Sequence, residues 1–193
     1  MIPMAAGTCL LTLVLLADVH APAPEPARPK RPPLTAEETA FPKRVGGKLC
    51  HDAIGFTIDD PGPGFRERTD LGGGGGHVRL WLWENDQTHE RLDIMVLKGT
   101  GGTPEDFRQY VSGMWKGQAE ESWIDEQTVD TSHRPYVANL NYHPDNGKSF
   151  ATRCIGIKAE RGIPWTLCAL TVAREHATFR ALRESLAAGS CPR

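Results

Sequence analysis

No stretch of this chain is apolar for the roughly 20 residues that a membrane-crossing helix needs. The longest run, Met4 to Ala17 (MAAGTCLLTLVLLA), has 14. An excess of one charge is also missing. The 193 residues carry 22 Lys+Arg against 24 Asp+Glu, a net charge of −2, which excludes a strongly basic nucleic-acid binder and a highly charged disordered chain. The short signatures of chemistry are absent as well. There is no Gly-x-Ser-x-Gly and no His-Glu-x-x-His, and the glycine run Gly72–Gly76 lacks the Gly-Lys-Ser/Thr ending of a phosphate loop. No Cys-x-x-Cys pair exists, and Cys50 and His51, as sequence neighbours, are poorly placed to share a metal. The seven histidines are scattered. The expectation is therefore no catalytic residue, no metal, no cofactor and no nucleic acid.

What is present reads as one exported domain. The apolar run is too short to span but fits the h-region of a signal peptide, so residues 1–21 are expected to be a signal peptide or a short anchor. No Lys or Arg precedes the run, and the small-x-small ends near Ala21 and Ala23 are followed by proline. Membrane contact is expected only through this segment, if it stays uncleaved. From Ala21 to Pro33 the chain reads APAPEPARPKRPP, with six prolines in thirteen residues. Such a run favours extended polyproline II, so residues 22–44 are expected to be a stiff linker and 45–193 a single domain.

Cysteine usage points to the same compartment. Setting aside Cys9 inside the apolar run, four remain: Cys50, Cys154, Cys168 and Cys191. Residues 149–159 and 163–173 are both strand-like and flank Glu160-Arg161-Gly162, a three-residue loop with glycine at its left-handed position. With Ala159 facing Ile163, Cys154 falls directly opposite Cys168, within disulfide reach. By exclusion Cys50 pairs with Cys191. The competing reading is four free thiols in a reduced cytoplasm. Two disulfides imply a secreted or periplasmic protein.

The remaining patterning sets the fold class. Ala53–Ile58, Val78–Glu84 and Leu92–Lys98 read as strands. The glycine run between the first two reads as a mobile surface loop. Thr103-Pro104-Glu105-Asp106 opens a helix, with Thr103 as cap, proline at the first turn and acids at the positive end of the dipole. Its stripe is Phe107, Tyr110, Val111, Met114 and Trp115. Strands follow around 122–130, 135–142, 149–159 and 163–173, with a turn at His143-Pro144-Asp145-Asn146-Gly147. A last helix is expected over roughly 175–188, ended by Gly189. This order gives an α+β fold, a largely antiparallel six- to seven-stranded sheet with helices on its faces. His77, Arg79, Trp81 and Trp83 share one face of a strand. Helix cover makes the tryptophans core; exposure makes the four a candidate binding patch. Glu84, Asp86, Glu90 and Asp93 gather around one hairpin, as a solvated turn or as an acid and base pair.

The opening Gly55-Phe56-Thr57-Ile58 with Pro61 and Phe65 is similar to the first strand and turn of the PsbP-like superfamily. Thr103–Phe107 resembles its middle helix, and Thr178-Phe179-x-x-Leu182 its closing one. The resemblance covers about residues 50–188, and it implies an α/β/α sandwich and a non-enzymatic accessory role. The expectation is an accessory domain that binds a protein partner, in the envelope or outside the cell, or a small apolar ligand. A secreted hydrolase and a structural envelope component are the alternatives.

Overall fold

Seven strands form the central sheet of the protein. The computed structural model describes residues 31–116, 120–144, 149–158, 162–173 and 176–193, and the expected signal segment lies outside them. In chain order the elements are α1 (Ala36–Thr39), β1 (Lys43–Val45), β2 (Lys48–His51), β3 (Phe56–Asp59), β4 (Phe65–Glu67), β5 (Val78–Asn85), β6 (Arg91–Lys98), α2 (Pro104–Lys116), a 3-10 turn (Glu121–Trp123), β7 (Ile124–Asp130), β8 (Tyr136–Tyr142), β9 (Ser149–Lys158), β10 (Pro164–Ala173), α3 (His176–Glu184) and β11 (Ala187–Ala188). The large sheet runs β4-β5-β6-β10-β9-β8-β7 and a smaller one runs β1-β2-β3-β11. All pairings are antiparallel. The α+β class and the antiparallel seven-stranded sheet are as the patterning requires.

The β9–β10 hairpin has the expected register, with Pro164 facing Lys158 and Cys168 facing Cys154. Gly162 takes φ 75°, in the left-handed region that glycine enters without a Cβ penalty. Both disulfides are formed, with Cα atoms 4.0 Å apart for Cys154–Cys168 and 5.2 Å for Cys50–Cys191. Covalent pairing of this kind belongs to domains that fold in oxidising compartments.

Each face of the large sheet is covered by a different layer. On one side α2 lays Phe107, Val111 and Trp115 on Tyr136, Ala138, Leu140 and the Cys154–Cys168 bridge. Thr103 caps α2 by accepting the Asp106 N–H at 3.1 Å. Gly156 lets the helix approach, because a Cβ there would lie 3.0 Å from Phe107 and 3.1 Å from Tyr136. On the other side Leu49, Phe56 and Ile58 of the small sheet, with Ile54 of its β2–β3 turn, join Leu182 and Leu186 against Trp81, Trp83, Ile94, Ile155, Trp165 and Leu167. A mostly apolar interior on both faces explains why β5 and β6 carry large side chains on both.

Four expectations are corrected. The folded unit starts upstream of Val45: residues 31–193 form one compact unit, and Leu34 and Phe41 pack against the core. Those two apolar side chains and the Leu34 N–H, which donates to the Gly76 carbonyl at 2.7 Å, help to hold it down. The last helix stops at Glu184, and Ala187–Ala188 pair with Thr57 and Phe56 instead. The first strand is shifted to Phe56–Asp59, because Gly55 takes φ 86° in a turn closed by its N–H on the His51 carbonyl at 2.8 Å. The glycine run is a hydrogen-bonded return. Gly73 and Leu80 exchange two backbone bonds of 2.7 and 3.2 Å, and a Cβ at Gly74 would sit 2.2 Å from the Val78 carbonyl oxygen. Of the turn expected at 143–147, residues 145–147 lie outside the described ones.

Candidate functional site

The strap of chain before β1 closes one end of the two-sheet sandwich. Thr35 and Glu38 form a reciprocal cap, the Glu38 N–H donating to Oγ1 at 3.3 Å and the Thr35 N–H to Oε2 at 2.7 Å. That same Glu38 oxygen accepts from Lys98 Nζ at 2.7 Å, and Nζ also donates to the Pro33 carbonyl at 3.1 Å. The Lys98 side chain is 6% exposed and that of Glu38 12%, and Lys98 Nζ lies 5.6 Å from the centre of the Trp165 ring. Burial works to raise the Glu38 carboxyl, yet the bonds from Lys98 and Thr35 hold it below its ordinary value. A buried pair with good geometry ties the strap firmly, since removing either partner strands the other charge.

Behind the strap lies a groove. Its larger part, about 720 Å³, is bounded by α1, the turn Asp52–Gly55, the ends of β9 and β10, and the tail Ala188–Ser190. Ile54, Ile157, Ile163 and Trp165 give it apolar walls; Glu37, Asp52 and Lys158 stand at its charged margin. A smaller recess of about 480 Å³, lined by Phe41, Lys43, Cys50 and His51, shares Glu37, Asp52 and Ala53 with it. The Cys50–Cys191 bond and the Cys191 N–H, which donates to Asp52 Oδ1 at 2.9 Å, fasten the tail as one wall.

His51 sits at the base of the smaller recess, 5% exposed. Its ring centre is 5.9 Å from Phe56 and 5.3 Å from Trp81. Nε2 is 3.2 Å from the Ala40 carbonyl, the geometry of an N–H donor, while Nδ1 is buried without a partner. Burial pushes the imidazole below its ordinary value, so it stays neutral. Asp52 does not orient it; that carboxylate is taken by the Cys191 N–H and by Lys43 at 3.7 Å.

The patch expected on β5 is not a surface. Arg79, Trp81 and Trp83 do share a face, but it is the face that the small sheet covers. Trp81 and Trp83 are both 0% exposed, Trp81 beneath His51 and Phe56, and Trp83 edge-on to Phe41 at 5.9 Å. His77 and Arg79 are half-buried, and Arg31 Nη1 lies 3.2 Å from His77 Nε2. The tryptophans are core because a second sheet, made of strands too short to show periodicity, lies over them. The carboxylates at the β5–β6 hairpin are dispersed rather than paired with one another. Glu84 bonds to Arg68, Asp86 to Arg66 at 3.1 Å, and Asp93 to Arg91 at 2.9 Å.

Among the described residues, no helix is long and apolar enough to cross a membrane, and no group of three or more His, Cys, Asp or Glu is placed to hold a metal. No protein-family model matches the chain, and no curated protein is similar to it at a significant level. The residues missed in the sequence are Glu38 and Trp165 of the groove and Lys98, which ties the strap. They come from three distant segments, and only the Thr35-x-x-Glu38 cap was open to local reading.

Proposed function

We propose that this is an exported, disulfide-stapled accessory domain that holds a partner protein segment or a small apolar ligand in the groove behind the strap. The single observation that carries the reading is the groove's construction. Its apolar walls come from chain segments more than 100 residues apart, and the Cys50–Cys191 bond fastens the tail that closes it. Preformed concave sites with apolar walls and few polar groups are what small ligands and short segments occupy. Three of the polar side chains around it are committed to the fold: Glu38 to Lys98, Asp52 to the tail, His51 to Ala40. That commitment favours binding over chemistry at this place. The likeness of Gly55–Phe65 and Thr103–Phe107 to PsbP-like accessory domains supports the same role, and the two disulfides support a secreted or periplasmic home.

The test is a titration of the oxidised protein with the neutral dye N-phenyl-1-naphthylamine. Saturable fluorescence is expected, weakened about tenfold or more by Ala53→Trp, which fills the shared floor from an exposed position. Absence of saturation, or equal binding by the variant, refutes the groove as the site.

A further inference from the structure

At the far side of the sheet from α1, three strands bring together a serine, a histidine and an aspartate. Ser149 opens β9, and its Oγ lies 2.9 Å from His143 Nδ1. His143 follows the end of β8, its backbone N–H donating to the Trp123 carbonyl at 2.9 Å. His143 Nε2 lies 2.6 Å from Asp125 Oδ2. Asp125 is the extra residue of a β-bulge between Ile124 and Glu126, and a bulge re-aims a side chain that regular pairing would send elsewhere.

The donor inventory fixes the direction of the chain in the neutral imidazole. A carboxylate only accepts, so the proton sits on Nε2 and donates to Asp125, leaving the Nδ1 lone pair for the Ser149 hydroxyl. This is the nucleophile, base and orienting-acid order of acyl transfer, recognised by roles and not by sequence position. The histidine side chain is 40% exposed and the aspartate 53%, so substrate reaches the relay from solvent. No comparable order exists at the neighbouring Asp130-Thr131-Ser132-His133. There the Ser132 hydroxyl donates to Asp130 at 2.7 Å, so the acid holds the serine and not the ring.

We propose that Ser149 is an acyl-accepting nucleophile, with His143 as its base and Asp125 orienting the ring, acting on small activated carboxylic esters. Ser149 Oγ attacks the ester carbonyl carbon as its proton passes to His143 Nδ1. The tetrahedral adduct expels the alkoxide, which takes that proton as an alcohol. Water then attacks the acyl-serine, giving a proton to His143 that returns to Ser149 Oγ as the carboxylic acid leaves. An open, half-solvated site suits short acyl groups on good leaving groups.

The test treats the full oxidised chain with a fluorophosphonate and maps the adduct by mass, alongside hydrolysis of p-nitrophenyl acetate. The expected result is phosphonylation of Ser149 and not of Ser132. Turnover should fall about 100-fold in Ser149→Ala, a typical worth of base-assisted attack, and about tenfold in Asp125→Asn, with melting temperatures unchanged. No adduct at Ser149, or turnover indifferent to Ser149→Ala, overturns the proposal. If the alanine variant melts early, the adduct on the unmodified chain decides alone. The dye titration of the groove reads a separate site, so either result stands without the other.

Discussion

Replacing Asp93 by asparagine should make the protein more stable near neutral pH. Asp93 lies on β6 between Leu82 of β5 and Leu170 of β10. Its side chain is 11% exposed; one oxygen bonds Arg91 at 2.9 Å and the other is buried without a partner. Burial pushes the carboxyl up from 3.8 to about 6; Glu84 adds to this and Arg91 opposes it. The sign follows from linkage. An acid raised in the folded state gives stability that is whole below pH 3.8 and lost as pH climbs through about 6. Above that pH the folded protein carries a penalty of about 3 kcal/mol, from about two pKa units at 1.36 kcal/mol each. The Asp93→Asn change keeps the shape and loses the charge, giving back up to that amount less about 1 kcal/mol for the half-exposed Arg91 contact. For a domain of this size each kcal/mol moves the melting temperature about 2–4 °C, so a rise of about 4–8 °C is expected at pH 7.5. Thermal melts of both proteins from pH 4 to 8 measure it. The two curves should converge near pH 4 and separate toward pH 7.5. A gap that is constant with pH, or an asparagine variant that is no more stable at pH 7.5, refutes the assignment of a buried, strained charge.

Two further pairs of variants separate covalent from conformational support. Removing Cys50–Cys191 as a double alanine variant should cost about 5 kcal/mol, and removing Cys154–Cys168 about 3 kcal/mol, because the first closes the longer loop in the unfolded chain; denaturant titration ranks them, and the reverse order would count against the chain-entropy account. Gly74→Ala should lose about 1–3 kcal/mol, since φ is 145° and the new Cβ meets the Val78 oxygen. Gly75→Ala, with open space around it, should melt within about 2 °C of the parent, and equal losses at the two positions would return the run to a loose loop.

Legibility in the sequence tracked how local each determinant was. The β9–β10 register, and with it one disulfide, followed from a three-residue loop and a two-residue period. Helix α2 announced itself through Thr103-Pro104 and a clean apolar stripe. The small sheet did not, because β1, β2, β3 and β11 are two to four residues long and draw their pairing from partners as remote as Thr57 and Ala187. That omission left the choice between core and patch open for Trp81 and Trp83: their alternation was correct, but nothing in β5 says which face a distant hairpin will cover. Leu34 and Phe41 were hidden for a different reason. Proline-rich composition argues for a tether, and a few well-placed side chains, with Glu38 paired to Lys98, outweigh it. The Ser149, His143 and Asp125 relay depends on a bulge, a one-residue irregularity that no periodicity reports.

The cross-link between Cys50 and Cys191 also governs how the molecule bears tension. If the chain is held upstream and pulled at its C-terminus, load entering at Arg31 passes through residues 31–50, crosses one sulfur–sulfur bond and leaves through the last two residues. The seven-stranded sheet, α2, α3, β3 and β11 lie off that line, whereas α1, β1 and β2 lie on it. Stretching can peel away only the segment ahead of the cross-link, the strap with β1 and β2, about 70 Å of chain when fully extended, and with it one margin of the groove. A domain wired this way yields at the margin of its groove first and keeps its large sheet unloaded.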